Sequence, residues 1–200
     1  MRVKPQERAI FLDRDGTLNH DSGYTHKISQ WRWLPGAIAG LGLFMRSGYR
    51  LIVASNQSGI GRGYYTLEDV KKLEKWLDEE LGKEDIEIAA WRYCPHLPDA
   101  GCGCRKPAPG LILDAARDFD INLPSSWMLG DRLGDIQAGL AAGCKAGLIG
   151  QTASLQEKAQ ARAIYPQVPI WPTLLEAAQA ILEEDYPQAG SLACQPRNIP

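Results

Sequence analysis

The stretch Ala9-Ile-Phe-Leu-Asp13-Arg-Asp15-Gly16-Thr17 joins a short apolar run to two carboxylates that stand two residues apart. The continuous apolar run is typical of a strand buried on both faces of a parallel sheet. In extended backbone, residues i and i+2 point to the same side, so Asp13 and Asp15 can face one ligand, and Gly16 permits a sharp turn after them. The pair suits a reaction in which one carboxylate attacks phosphorus and the other moves a proton. Two turn aspartates are the simpler alternative for so short a motif.

The same pattern of apolar runs and helical periodicity continues along most of the chain. Residues 50–55, 86–93, 127–130 and 144–149 are predicted to form further strands, and residues 35–46, 109–119 and 135–142 are predicted to form helices. Another helix begins after Thr66, a good N-cap, with apolar residues at spacings of three and four. The alternation predicts one doubly wound α/β domain with a mostly parallel sheet over residues 1–186. Residues 187–200, rich in proline and polar side chains, are predicted to form a loose tail.

Composition narrows the class of partner. The 200 residues carry a formal net charge of −2, which gives no broad attraction to nucleic acid. The N-terminal segment lacks the apolar core of a signal peptide, and no stretch approaches the roughly 20 apolar residues that span a bilayer. We therefore expect a cytoplasmic monomer that acts on a small molecule, without a membrane or nucleic-acid partner.

Polar residues follow the predicted strands, where the ligands of doubly wound sheets bind. Residues 55–57 follow the second strand and Asp131 follows the fourth, with Asp135 in the next predicted helix. A carboxylate that approaches a phosphate in a partly buried cleft at ~4 Å is repelled by roughly 4 kcal/mol per charge pair, so a nearby cation is required. Lys106 can supply one charge, and the cluster of hard oxygen ligands favours Mg²⁺.

Four motifs in order, Asp-x-Asp-Gly-Thr, Ser-Asn-Gln, Arg-Lys-Pro and Gly-Asp-x-x-x-Asp, resemble the haloacid dehalogenase-like phosphatase superfamily. The resemblance implies a Rossmann-like core in which Asp13 is the nucleophile and Asp15 the general acid and base. Ser55 and Lys106 would hold the transferring phosphoryl group. Mg²⁺ would be bound by Asp13, the carbonyl of Asp15, and Asp131.

Three further expectations concern Asp15, Asp135 and the absence of a lid domain. Phosphoenzyme-forming ATPases of the superfamily carry threonine at the position of Asp15, so the aspartate favours rapid hydrolysis of the intermediate. Asp135 is either an acid behind the metal ligands or the N-cap of the following helix. Because the segment between the first two motifs is too short for a separate lid domain, we expect a protein with no cap or a minimal one.

The segment Cys94-Pro-His96-Leu-Pro-Asp-Ala-Gly-Cys102-Gly-Cys104 holds four soft or borderline metal ligands in eleven residues. Three thiolates and an imidazole form a usual structural Zn²⁺ site and leave no open position for water. We predict that zinc folds this loop, residues 94–104, which has few apolar residues of its own. The alternative is three incidental thiols and a surface histidine.

The zinc loop sharpens the resemblance, together with Asp21-Ser-Gly-Tyr24 and the glycine-rich stretch that begins at Ser55. These stretches are similar to the D-glycero-D-manno-heptose-1,7-bisphosphate 7-phosphatase family. Membership implies hydrolysis of the 7-phosphate to leave heptose 1-phosphate, in ADP- or GDP-heptose precursor synthesis for lipopolysaccharide. Histidinol-phosphate phosphatases share the plan and are the alternative. Departures are the short zinc loop and Arg132, which stands where the enterobacterial-type enzymes have lysine.

The resemblance also implies a substrate pocket around the catalytic residues. Arg105 or Arg132 could bind the second, non-reacting phosphate, because guanidinium groups match phosphate oxygens. The expected substrate contacts are Asp13, Asp15, Asp21, Ser22, Gly23, Tyr24, Ser55, Asn56, Gln57, Ser58, Arg105, Lys106 and Arg132.

Overall fold

One parallel sheet forms the centre of the fold within residues 6–187, the part of the chain that the computed structural model describes. The strands are β1 (Ala9–Leu12), β2 (Arg50–Asn56), β3 (Ala90–Cys94), β4 (Trp127–Gly130), β5 (Lys145–Ile149) and β6 (Ile170–Trp171). Their order across the sheet is β3-β2-β1-β4-β5-β6, and every neighbouring pair is parallel. The predicted α/β class and parallel sheet are confirmed.

Helices connect the strands and cover both faces of the sheet. They are α1 (Ala37–Arg46), α2 (Ser58–Gly61), α3 (Leu67–Gly82), α4 (Gly110–Asp118), α5 (Leu133–Ala142), α6 (Leu155–Ile164) and α7 (Leu174–Asp185). Thr66 caps α3 as predicted, because its side chain accepts a hydrogen bond from the backbone N–H of Asp69. The loops after β1 and β2 carry only short elements and single helices within the described residues, so no separate lid domain is inserted there.

The alternation of side chains along β1 explains the two hydrophobic layers. Ile10 and Leu12 pack with residues of α1, α3 and α7 on one face, whereas Ala9 and Phe11 pack with residues of α4 and α5 on the other. All four side chains are fully buried. Burial of each large apolar side chain contributes about 1.5–3 kcal/mol, so the central strand is held firmly where its last residue leads into Asp13.

The strand order reverses direction beside β1. The chain moves from β1 outward to β2 and β3, then returns to the other side of β1 with β4. This switch point leaves a crevice at the carboxyl ends of β1 and β4, where ligands bind in doubly wound folds. The residues that follow these two strands, Asp13 and Asp131, are thereby brought next to each other.

Several boundaries differ from the sequence prediction. The strand predicted over 86–93 is wrong at its start, because β3 begins at Ala90, which pairs with Ile52. Ile86 and Ile88 are apolar because they pack on the core, not because they belong to the ladder. The helix predicted from Asp135 begins two residues earlier, at Leu133. The region from α6 onward completes the sheet and was not divided into elements by the sequence pattern.

Two predictions concern the ends of the chain and membranes. The predicted tail lies outside the described residues, apart from Pro187. Among the helices of residues 6–187, none combines the length and the apolar character needed to cross a bilayer.

Candidate active site

A compact group of ionised side chains fills the crevice at the switch point. The Nζ of Lys106 lies 2.8 Å from Oδ1 of Asp13 and 2.6 Å from Oδ1 of Asp135. Carboxylate oxygens of Asp13, Asp131 and Asp135 all lie within 4.8 Å of one another. All four side chains are buried. Three acids and one lysine leave an excess of negative charge in a site of low dielectric, which is unfavourable unless a further cation binds.

The pKa shifts report this crowding. Burial raises the pKa of Asp13 to about 6, although Lys106 opposes the shift. Burial and the charges of Asp13 and Asp135 raise the pKa of Asp131 to about 7. For Lys106, burial disfavours the charged form, but the two carboxylates beside it outweigh burial and raise its pKa. The lysine therefore stays charged, whereas Asp13 and Asp131 are poised to exchange protons for a metal.

The donor set fits Mg²⁺. Oδ1 of Asp131 is buried and has no hydrogen-bond partner among the described residues, as expected of an oxygen available to a metal. Both oxygens of Asp135 are already engaged, one by Lys106 and the other by the backbone N–H of Arg132. Asp135 is the third residue of α5, so the alternative that it is the N-cap is wrong. Asp135 forms the second ion pair of Lys106, beside that with Asp13.

Close packing holds Asp131 against the loop that follows β1. Gly16 has a positive φ of 86°, and a Cβ there would lie 2.3 Å from Oδ2 of Asp131. Thr152 donates to the carbonyl of Gly16 and to Oδ2 of Asp131 at 3.2 Å. The glycine is therefore required both by its backbone conformation and by the closeness of the carboxylate.

The Asp15 carboxylate does not belong to this group of three acids and is surrounded by donors. Oδ2 accepts from Nη2 of Arg14 at 2.7 Å and from Nε2 of Gln57 at 2.9 Å, and Oδ1 accepts from Nδ2 of Asn19 at 3.0 Å. Arg14 is fully buried, and Asp15 is its ion-pair partner. The two motif aspartates thus have different surroundings, as separate nucleophile and acid–base roles require.

The polar residues that end β2 serve two purposes. The amide of Gln57 donates to Ser55 Oγ as well as to Asp15, each at 2.9 Å. The side chain of Asn56 accepts from the backbone N–H of Lys106 at 3.1 Å and donates to its carbonyl at 3.0 Å. Asn56 therefore fixes the backbone of Lys106 by two hydrogen bonds, and this holds the lysine side chain beside Asp13.

A cleft of about 420 Å³ opens above these groups. Arg132 lies at its rim, where Nη2 donates to Asp21 at 3.3 Å, and Nη1 of Arg105 donates to the carbonyl of His96 at the same distance. Ser22 does not line the cleft in the described part of the chain; its hydroxyl contacts that of Thr25. The expected contacts that do line it are Asp13, Asp15, Asp21, Gly23, Tyr24, Ser55, Asn56, Gln57, Ser58, Arg105, Lys106 and Arg132.

Sequence reasoning missed several residues of this site, including Asn19, which donates to Asp15. Arg14 lies within the first motif, but its burial against Asp15 has no local signature. Tyr65 and Glu157 line the cleft, and Thr152 supports Asp131. The last two follow β5, the strand beside β4, and polar residues after that predicted strand were the available signal.

The cysteine–histidine loop closes into a cluster beside the cleft. Sγ of Cys94 lies 3.6 Å from Sγ of Cys102 and 3.2 Å from Sγ of Cys104, and these last two sulfurs are 3.5 Å apart. Nδ1 of His96 lies 3.5 Å from Cys94 and 3.3 Å from Cys104. A tetrahedron with Zn–S bonds of ~2.3 Å has edges of roughly 3.7 Å, so the four ligand atoms lie close enough together to share one metal ion.

Comparison with known proteins identifies relatives of this chain. A family model described as HAD-hydrolase-like matches residues 103–177. The D-glycero-beta-D-manno-heptose-1,7-bisphosphate 7-phosphatase of Photorhabdus laumondii is 42% identical over 141 residues, which are 67% of this chain and 75% of that protein. The protein of the same name from Haemophilus influenzae is 38% identical over 151 residues, 72% of this chain and 82% of that one.

A solved structure extends the similarity to the fold. It is that of D,D-heptose 1,7-bisphosphate phosphatase from B. bronchiseptica complexed with magnesium and phosphate. It is 33% identical and superposes with a TM-score of 0.80 over 88% of this chain and 99% of the other. Identity and coverage together show that this chain belongs to the heptose-1,7-bisphosphate 7-phosphatase family of the haloacid dehalogenase-like hydrolases.

Proposed function

We propose that this protein hydrolyses the 7-phosphate of D-glycero-D-manno-heptose 1,7-bisphosphate and releases heptose 1-phosphate, a precursor of nucleotide-activated heptose. The observation that carries the proposal is the buried contact of Asp13 with Lys106 beside the unpartnered oxygen of Asp131. The relatives carry the β anomer in their names, which favours the β-bisphosphate as the substrate.

The reaction divides into two displacements at phosphorus. In the first, an oxygen of Asp13 attacks, the bond from phosphorus to the sugar oxygen breaks, and Asp15 gives its proton to that oxygen. In the second, Asp15 takes a proton from water as the water attacks the aspartyl phosphate, which frees Asp13. Ser55 and Lys106 bind the phosphoryl oxygens through both steps.

The metal held by Asp13, the carbonyl of Asp15 and Asp131 would neutralise charge on the phosphoryl group. Mg²⁺ is the proposed ion, and the solved relative was complexed with magnesium. Zn²⁺ is proposed separately for the cysteine–histidine cluster, where it has a structural role because all four ligand positions are protein atoms. The proposal includes a cytoplasmic location, because free thiolate ligands need a reducing compartment. We also propose that the protein is a monomer.

Substrate selection is assigned to the rim of the cleft. Arg132 and Arg105 flank the opening and can bind the phosphate that does not react. Binding of that remote phosphate by the two arginines can lower the reaction barrier as well as improve substrate affinity.

The test is phosphate release with Mg²⁺ from both anomers of heptose 1,7-bisphosphate, from histidinol phosphate and from fructose 1,6-bisphosphate. We expect the β-heptose bisphosphate to be preferred at least ~100-fold in kcat/KM, or about 2.7 kcal/mol of transition-state binding. Comparable slow turnover of all four contradicts the substrate, and a preference for histidinol phosphate supports the alternative family.

Asp13→Asn is expected to abolish turnover while the protein remains folded. The matched control is Asp114→Asn, since Asp114 is a surface residue of α4 paired with Arg117. It removes a carboxylate of the same size without touching the cleft. Appreciable activity in Asp13→Asn rejects the nucleophile assignment whatever the substrate proves to be.

A further inference from the structure

The Asp15 carboxylate is held by donors from three separate parts of the chain. Arg14 precedes it in the loop after β1, Asn19 follows four residues later, and Gln57 comes from the end of β2. Charge compensation of a buried arginine needs one carboxylate and no more. The additional amide donors hold the carboxylate in one orientation, because they approach it from different directions.

The two carboxylate oxygens have unequal surroundings. Oδ2 accepts three hydrogen bonds, from Nε of Arg14 at 3.2 Å, from Nη2 of Arg14 at 2.7 Å and from Gln57 at 2.9 Å. Within residues 6–187, Oδ1 accepts one, from Asn19 at 3.0 Å. An oxygen surrounded by three donors has no partner to which it could give a proton. The proton that Asp15 transfers is therefore carried by Oδ1.

Tyr65 fixes the orientation of the Gln57 amide. Its hydroxyl donates to Oε1 of Gln57 at 2.7 Å, which directs the NH₂ group toward Asp15. The ring is buried, is stacked on His26 at 4.6 Å between centroids, and packs so closely on Gly59 that a Cβ there would lie 2.1 Å from it. The Tyr65 ring is therefore fixed, and its hydroxyl is directed toward Gln57.

Arg14 connects the same carboxylate to the rim of the cleft. Its Nη2 also donates to the carbonyl of Thr25 at 2.5 Å, and the Thr25 hydroxyl contacts that of Ser22. The loop that carries Asp21 and Tyr24 over the cleft is therefore tied to the side chain that orients the acid.

We propose that Arg14 and Tyr65 are positioning residues that hold Oδ2 of Asp15, Tyr65 acting through Gln57, so that Oδ1 delivers the proton to the leaving oxygen. The inference rests on the acid–base role of Asp15 in the proposed function. It does not depend on which phosphate ester is the substrate.

The experiment compares two substrates of nearly the same shape, phenyl phosphate and p-nitrophenyl phosphate, in Tyr65→Phe. The phenolate of the first is the stronger base and needs a proton as it leaves, whereas nitrophenolate leaves without one. We expect kcat/KM for phenyl phosphate and for the heptose bisphosphate to fall about tenfold, with p-nitrophenyl phosphate changed less than about twofold.

Tyr49→Phe is the matched control. Tyr49 is also buried, and its hydroxyl donates to the carboxylate of Asp185 on the far side of the fold. Tyr49→Phe likewise removes one buried tyrosine hydrogen bond, so it should lose at least as much thermal stability as Tyr65→Phe, while its activity on all three substrates stays that of the wild type.

Arg14→Lys gives a second test, which keeps the charge but loses the fork that contacts Oδ2 and Thr25 together. It should show the same dependence on the leaving group with a larger loss. Equal losses on phenyl and p-nitrophenyl phosphate in Tyr65→Phe, or no loss on either, overturn the positioning role. Slow wild-type turnover of the heptose ester beside normal aryl turnover contradicts only the proposed substrate.

Discussion

The acid cluster and the cysteine–histidine cluster lie close together, yet they are held in different ways. Asp13 and Asp131 follow neighbouring central strands, and Lys106 and Thr152 contact them from other loops. The four soft ligands come from eleven consecutive residues, of which only Cys94 belongs to a strand. The sheet itself brings the acids together, whereas the cysteine loop is ordered mainly by contacts among its own ligands. Loss of metal should therefore stop chemistry at the first cluster and unfold the second.

The largest effect on stability is expected from Cys94→Ser, which removes the buried ligand of the zinc loop. We expect zinc content to fall from one ion per chain to near zero and the Tm to drop by about 10 °C, or ~3–5 kcal/mol for a chain of this size. Cys144→Ser is the control, because Cys144 is a buried thiol outside both clusters. Metal analysis and calorimetry measure both quantities. Equal Tm values in the two variants contradict the structural role of zinc.

Gly16→Ala should affect the acid cluster and leave the zinc loop unchanged, which is the opposite of Cys94→Ser. The new methyl group meets Asp131, so kcat/KM should fall at least ~100-fold, while zinc content stays at the wild-type level. Gly48→Ala is the control: Gly48 has a φ of 82°, close to that of Gly16, and nothing lies within 4 Å of its Cβ position. Gly48→Ala should lose about 1 kcal/mol of stability because of the positive φ and should keep normal activity. Similar activity in the two variants shows that strain alone, not the contact with Asp131, explains the effect.

The difference between the clusters also explains what the sequence could predict. The four cysteine and histidine residues lie within eleven consecutive residues, so their spacing alone was sufficient to group them. The acids were grouped because each follows an apolar run, and parallel strands bring their carboxyl ends to one edge. Tyr65 has neither signature, since it acts through a contact with Gln57 across the fold. Thr152 does follow a predicted strand, but only the fold shows that it contacts Asp131.

The boundaries of the predicted strands show the same limit of prediction from sequence. Ile86 and Ile88 extended the predicted third strand because burial gives the same apolar pattern whether or not a residue joins the ladder. Arg14 was passed over because arginine is seldom fully buried, and only the fold shows that Asp15 compensates its charge. Local sequence patterns therefore predict which residues the strands bring together. Contacts made by single side chains across the fold can be seen only in the structure.

The smallest effect is a pH dependence confined to the acid cluster. The folded protein raises the pKa of Asp13 to about 6 and that of Asp131 to about 7, from 3.8. Between these limits the folded state binds more protons than the unfolded chain, so stability falls as pH rises. Without Mg²⁺, the Tm should decrease by several degrees from about pH 5.5 to 8.

Magnesium should oppose this trend, because it competes with the protons for the same oxygens. The rise in Tm on adding Mg²⁺ should therefore grow with pH over the same window, measured after dialysis without a chelator so that zinc stays bound. Asp131→Asn removes one of the two acids and should flatten both curves, whereas Asp114→Asn should leave both unchanged. If the Mg²⁺-free Tm instead stays level over this window, the carboxylates are already ionised without metal. Lys106 would then suffice to balance them, and the acid cluster would need its metal for chemistry alone.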